Sequence, residues 1–159
     1  MKELLTIRDA AIEDVESIHY LLSIYAPQGI VLARSRDDIA FFISNFTVAV
    51  LDGKVCGCAA VRDFGNDLLE VRSLVVAPGL QNKGIGKAMI KAIIEKLKVQ
   101  KNFWRLFALT LRPDFFRSMN FREVPKSLFP EKIWSDCAKC AKRSCCDETA
   151  VLMDSEDLN

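Results

Sequence analysis

Apolar residues recur along this chain at spacings that change from segment to segment, and the changes mark out its elements. Leu4 to Arg8 reads as a short strand. From about Ile12 to Tyr25 the apolar positions Val15, Ile18, Leu22 and Tyr25 follow a three- and four-residue spacing, which predicts a helix with one buried face. Pro27-Gln28-Gly29 breaks it. A second helix fits Arg36 to Asn45, with Ile39, Phe42, Ile43 and Phe46 on one side. Strands at Thr47 to Leu51 and Lys54 to Arg62 flank Asp52-Gly53, a strong hairpin signal. A turn at Phe64-Gly65-Asn66-Asp67 leads into an apolar, β-branched strand from Leu68 to Val76, closed by Ala77-Pro78-Gly79.

After Gln81-Asn82-Lys83-Gly84-Ile85-Gly86 the period becomes helical again, from Lys87 to Leu97. An apolar strand at Trp104 to Leu111 follows, then a brief helix over Asp114 to Met119, for which Pro113 suits the first position. Further strands are expected near Phe121 to Val124 and at Thr149 to Met153. Between them, residues 130–147 form a cysteine-rich stretch without clear period, and the acidic tail at 154–159 is expected to be mobile. The order predicts one α+β domain over 1–159, with a mixed, mostly antiparallel twisted sheet flanked by about four helices. No repeat or interdomain linker interrupts it.

Composition narrows the classes. The charges nearly cancel, 22 basic against 21 acidic residues, and half the residues are apolar. That balance speaks against a general nucleic-acid or membrane-surface binder. No apolar run reaches the ~18 residues of a membrane span, and Met1-Lys2-Glu3 does not open a signal peptide. A cytoplasmic protein is expected, and in that compartment the 6 cysteines are thiols or metal ligands rather than a disulfide framework.

Chemistry gathers at the glycine-rich turn. Strand, turn and helix in that order place free backbone N–H groups and a helix N-terminus where an anion can sit, with Lys83 and Lys87 adding positive charge. A Walker-type loop would need a Lys-Ser/Thr pair after its last glycine, and Lys87-Ala88 lacks the hydroxyl. A dinucleotide fingerprint would need a further glycine and a parallel βαβ unit. Gln81-x-x-Gly84-x-Gly86 after a strand in a mostly antiparallel run instead resembles the pyrophosphate loop of the GNAT superfamily of acyl-CoA-dependent N-acetyltransferases. The element order is similar too, from about Leu4 to Met153.

The resemblance implies acetyl-CoA as cosubstrate, held by Leu74, Val75, Val76, Gln81, Asn82, Lys83, Gly84, Ile85, Gly86 and Lys87, with backbone N–H groups near Val75 and Val76 polarising the thioester oxygen. Amine attack requires a neutral nitrogen, and a base helps to provide it. Glu70 matches the position of the family's catalytic glutamate on the strand before the loop. Alternation puts Glu70 and Arg72 on one face, so a structural ion pair is the competing reading. Where the family often supplies a tyrosine to protonate the leaving thiolate, this chain has Phe116, which fits packing against cofactor or core.

A narrower resemblance concerns the acceptor. Gly29 to Arg36, Cys56 to Arg62, Glu70 to Leu74, Leu106 to Thr110 and the tail from Pro130 are similar to amino-acid N-acetyltransferases of the short, single-domain N-acetylglutamate synthase type. This implies acetylation of the α-amine of L-glutamate in arginine biosynthesis. Arginines grip carboxylates in pairs of hydrogen bonds, and Arg34, Arg62 and Arg72 lie in segments bordering the family's acceptor site. Taken singly, each also fits a surface or ion-paired arginine. Cys137, Cys140, Cys145 and Cys146 offer a candidate zinc set, against free or redox-active thiols. Cys56, Cys58 and His19 read as structural. The partner expected is a small-molecule amino acid, with no nucleic acid and no membrane, bound by a monomer or homodimer. A transferase for another amine, a non-catalytic acyl-CoA-binding regulator and a metal-dependent interaction module remain as alternatives.

Overall fold

The computed structural model describes residues 4–129 and 148–158. Among the described residues seven strands are hydrogen-bonded in the order β1-β2-β3-β4-β5-β7-β6, a mixed, mostly antiparallel sheet as the sequence predicts. They are β1 Leu5–Asp9, β2 Phe46–Leu51, β3 Lys54–Asp63, β4 Leu68–Val76, β5 Arg105–Thr110, β6 Arg122–Val124 and β7 Thr149–Asp154. Four α-helices occur among the described residues: α1 Val15–Tyr25, α2 Arg36–Phe41, α3 Ile85–Gln100 and α4 Pro113–Arg117. The chain packs as two compact units, one of residues 4–62 and 71–101, the other of 63–70, 102–129 and 148–158. No helix among the described residues is long and apolar enough to cross a membrane.

In the first unit β1, β2 and β3 are antiparallel, and Asp52 and Gly53 close the β2–β3 hairpin with φ of 50° and 82°. Ile18, Leu22, Ile39, Phe46, Val48 and Cys58 form the centre of its core, each at most 1% exposed. Each large apolar group withdrawn from water in this way contributes about 1.5–3 kcal/mol. Helix α3 buries Ile85, Met89, Ile90, Ile93, Ile94 and Leu97, a stripe at the helical period. The helix starts earlier and runs later than its sequence pattern indicated. The second predicted helix instead splits. Ser35 caps α2 by accepting from the Asp38 N–H, but the helix ends at Phe41, and Ile43–Asn45 forms a 3-10 turn. Asn45 there donates from its side chain to the Val61 carbonyl, and Phe46, expected on the helix, opens β2.

In the second unit, β5 runs parallel to the start of β4, with Leu68 to Glu70 opposite Arg105 to Phe107, and antiparallel to β7. Leu68, Phe107, Phe129, Ala150 and Leu152 form its core, and the Phe107 and Phe129 rings stack at 4.1 Å. Residues Ser155–Leu158 make a 3-10 turn, in which the Asp154 carboxylate accepts from the Glu156 and Asp157 N–H groups. Ser155 N–H donates to the Trp104 carbonyl at 2.9 Å, and Arg122 pairs with Asp154 and Asp157. Charge that would have kept the tail solvated is used at the edge formed by β6 and β7.

Candidate active site

Strand β4 carries the first feature of the site. Ser73 sits at φ 55°, inside a strand whose other residues are extended. A non-glycine residue in the left-handed region costs about 1–2 kcal/mol, so the surrounding packing must hold it there. Cys58 contributes, its thiol lying 3.5 Å from the Ser73 carbonyl, to which it donates. Beyond this turn in the strand, Val75 is buried and Leu74 and Val76 are half-buried. Ala77 N–H closes the strand by donating to the Cys56 carbonyl at 2.8 Å.

The chain then turns through Gly79 at φ 86°, Asn82 at 62° and Gly84 at 85°. Residues Gln81, Asn82, Lys83 and Gly84 are exposed. Gly84 is the N-cap of α3 and provides no side-chain hydrogen bond; the first amide of the helix to find a backbone partner through it is Ala88, which donates to the Gly84 carbonyl at 3.0 Å. The Ile85, Gly86 and Lys87 amides therefore have no capping side chain, and the positive end of a 16-residue helix faces outward with Lys83 and Lys87 beside it. An anion with several oxygens suits this end. The sequence-predicted loop residues are brought together here, in one segment of the first unit.

Periodicity places the Tyr25 ring on the buried face of α1 but says nothing of what its hydroxyl reaches. Tyr25 ends α1 and is 6% exposed. Its hydroxyl lies 2.5 Å from the Val76 carbonyl, and the Gln81 side-chain amide lies 3.1 Å from the same hydroxyl. Burial pushes the phenol above its ordinary pKa, so it remains a donor at neutral pH. Sequence reading placed Tyr25 on the apolar face of the helix, which is correct for its ring. Its polar tip had a weak signal only: a buried tyrosine needs a hydrogen-bond partner.

Glu70 is 3% exposed, on β4 opposite Phe107. A buried carboxylate is expensive to desolvate, which sets it apart from the surface acids of the chain. Arg62 and Arg72 are half-buried. Arg34 is tied down: its Nε donates to Asp38 at 2.6 Å, its guanidinium lies 4.9 Å from the Phe46 ring centre, and its side chain is 14% exposed. Phe116 is buried, edge-on to Phe115 and Phe121 at 5.1 and 5.2 Å. Cys56 and Cys58 are buried and free, as expected of core residues. His19 is half-buried in α1. The candidate zinc ligands Cys137, Cys140, Cys145 and Cys146 lie outside the described residues. Among those described, no cluster of three metal-binding side chains occurs.

Fold and loop together define a class. Residues 43–123, which run from before β2 into β6 and include the whole glycine loop, match the acetyltransferase (GNAT) domain family. An uncharacterized N-acetyltransferase of Chlorobaculum tepidum is 38% identical over 92% of this chain and 94% of its own length. The amino-acid acetyltransferase of Neisseria meningitidis is 34% identical over 79% of this chain, which spans only 29% of that protein. Among solved structures, the N-acetylglutamate synthase of Neisseria gonorrhoeae, complexed with coenzyme A and N-acetyl-glutamate, superposes with a TM-score of 0.85. That likeness carries 28% identity and covers 97% of this chain and 36% of the synthase. The chain belongs to the acetyltransferase (GNAT) domain family and is an enzyme of the N-acetyltransferase class.

Proposed function

We propose that the protein transfers the acetyl group of acetyl-CoA to the α-amine of an amino acid, with L-glutamate as the preferred acceptor and N-acetyl-L-glutamate as product. One observation carries the donor half: the uncapped start of α3 behind Gln81-Asn82-Lys83-Gly84-Ile85-Gly86, which suits the pyrophosphate of CoA. The acceptor half is supported by the likeness to the gonococcal synthase, whose complex holds coenzyme A and N-acetyl-glutamate. On this reading the reaction is the first step of arginine biosynthesis in the cytoplasm.

In the reaction the amine nitrogen attacks the thioester carbonyl carbon. Glu70 takes the proton that leaves the nitrogen, directly or through water. Backbone N–H groups on β4 near Leu74, Val75 and Val76 stabilise the oxyanion as it forms. The carbon–sulfur bond then breaks and CoA leaves as its thiolate. With Phe116 in the place of a tyrosine, no side-chain acid is assigned to that sulfur; a thiolate of pKa near ~8.5 departs without one. Arg34, Arg62 and Arg72 supply the positive charge that a dicarboxylate acceptor requires.

Turnover with acetyl-CoA across glutamate, aspartate, glutamine and lysine tests the acceptor. Activity confined to amines that are not amino acids would sink the glutamate reading in favour of another small-molecule amine or a protein N-terminus. Glu70→Gln is expected to lower kcat by about 10²- to 10⁴-fold with CoA affinity unchanged. Wild-type protein that binds CoA tightly yet turns over none of these amines would make it an acyl-CoA-binding regulator.

A further inference from the structure

Gln81 opens the glycine loop, yet its side-chain amide points inward, 3.1 Å from the Tyr25 hydroxyl. The direction of the two bonds is fixed by chemistry. The Val76 carbonyl only accepts, so the one proton of Tyr25 goes to it at 2.5 Å, and the phenol oxygen accepts from Gln81 Nε2. The chain of donors therefore runs from the loop, through the end of α1, to the last residue of β4. The far side of the same peptide unit is also held, by the 2.8 Å bond from Ala77 N–H to the Cys56 carbonyl. Tyr25 itself is anchored, since its carbonyl accepts from Ile30 N–H at 3.3 Å and its ring lies in the core beside Leu21, Leu22 and Val75.

We propose that Tyr25 is a positioning residue for the acyl-CoA site: its hydroxyl fixes the glycine loop, through Gln81, in register with the end of β4 at Val76. The proposal rests on the reading of the loop as the CoA site. It gives Gln81 a task its place in the motif does not disclose, because the side chain serves the scaffold while backbone amides face the phosphates. The geometry explains why an exposed four-residue turn containing Asn82 and Gly84 at positive φ keeps one shape: its first residue is tied to a buried hydroxyl.

Calorimetric titration with CoA, together with steady-state KM for acetyl-CoA and kcat, tests it on Tyr25→Phe, Gln81→Leu and the double variant. Loss of one bond in the chain is expected to weaken CoA and raise KM roughly five-fold, with kcat within about two-fold of wild type. The double variant is expected to be no worse than either single one, because both cut the same chain. Unchanged or tighter CoA binding by both single variants would overturn the proposal, as would strictly additive losses. Should Tyr25→Phe unfold, Gln81→Leu at its exposed position carries the same comparison. Wild-type protein that fails to bind CoA would overturn the underlying reading as well, whereas wild-type binding with indifferent variants overturns this inference alone.

Discussion

Asp14 accepts from the Ala11 N–H at 2.7 Å and from both terminal nitrogens of Arg8 at 2.8 and 3.1 Å, with its side chain 8% exposed. The Arg8 hydrogen bonds hold its carboxyl below the usual range, against the opposing effect of burial. A carboxylate with a lowered folded-state pKa adds stability above its unfolded value and loses it as pH falls through the folded value. Asp14→Asn is therefore expected to lower stability by about 1–2 kcal/mol at neutral pH. The gap from wild type should close below about pH 4, and denaturant unfolding of both proteins across that range checks it. A gap independent of pH would contradict the ionic origin. Cys58 shows the opposite displacement: burial pushes its thiol up to about 12, although the Arg34 charge pulls the other way, and burial also raises Cys56. Neither should react with iodoacetamide near about pH 8 while the protein is folded, and both should in urea. Peptide mapping reads the result, and modified Cys58 in folded protein would refute it.

Among elements, β3 and β4 have the tightest tolerances. A Cβ at Gly57 would meet Met89 Cε at 3.0 Å, the Val75 carbonyl at 3.2 Å and Ala49 Cβ at 3.5 Å. Gly57→Val is expected to cost about 1–3 kcal/mol and to weaken CoA binding by shifting α3, while Gly57→Ala costs less because the tip of Met89 can yield. Thermal unfolding and CoA titration separate the two effects. The bounds of β4 were legible in sequence, since a largely apolar run between the Phe64-Gly65-Asn66-Asp67 turn and Ala77-Pro78-Gly79 leaves little choice. The glycine loop was legible because Gly79 and Gly84 mark positions where φ is positive, just ahead of a helical period. The turn at Ser73 was not, because serine has no strong preference for that region and tertiary contacts, the Cys58 thiol among them, hold it there. Tyr25 escaped because the helical period reports which ring is buried, and says nothing of the carbonyl its hydroxyl reaches. Helix α2 was overextended for lack of a stop signal between Phe41 and Ile43; the 3-10 turn follows from tertiary bonding at Asn45.

For the molecule as a whole, near-zero net charge means that specificity has to be local. Acidity alone gave no hint that Arg122 would pair with Asp154 and Asp157. Removal of residues from Ser155 onward takes away two hydrogen bonds with Trp104 and the Arg122–Asp157 pair. The expected loss is about 1–2 kcal/mol, because exposed pairs add little, or roughly 2–8 °C in Tm by calorimetry. An unchanged Tm would mean that the turn is not used for stability.

The Tyr25 hydroxyl also gives the protein an optical reporter. The chain has 2 tyrosines, of which Tyr20 is 60% exposed and Tyr25 is 6% exposed and hydrogen-bonded on both sides. A phenol in that setting absorbs differently from a solvated one. Occupancy of the glycine loop should thus register in the near-ultraviolet difference spectrum, without label or coupled assay, as a signal that Tyr25→Phe abolishes and Tyr20→Phe leaves intact.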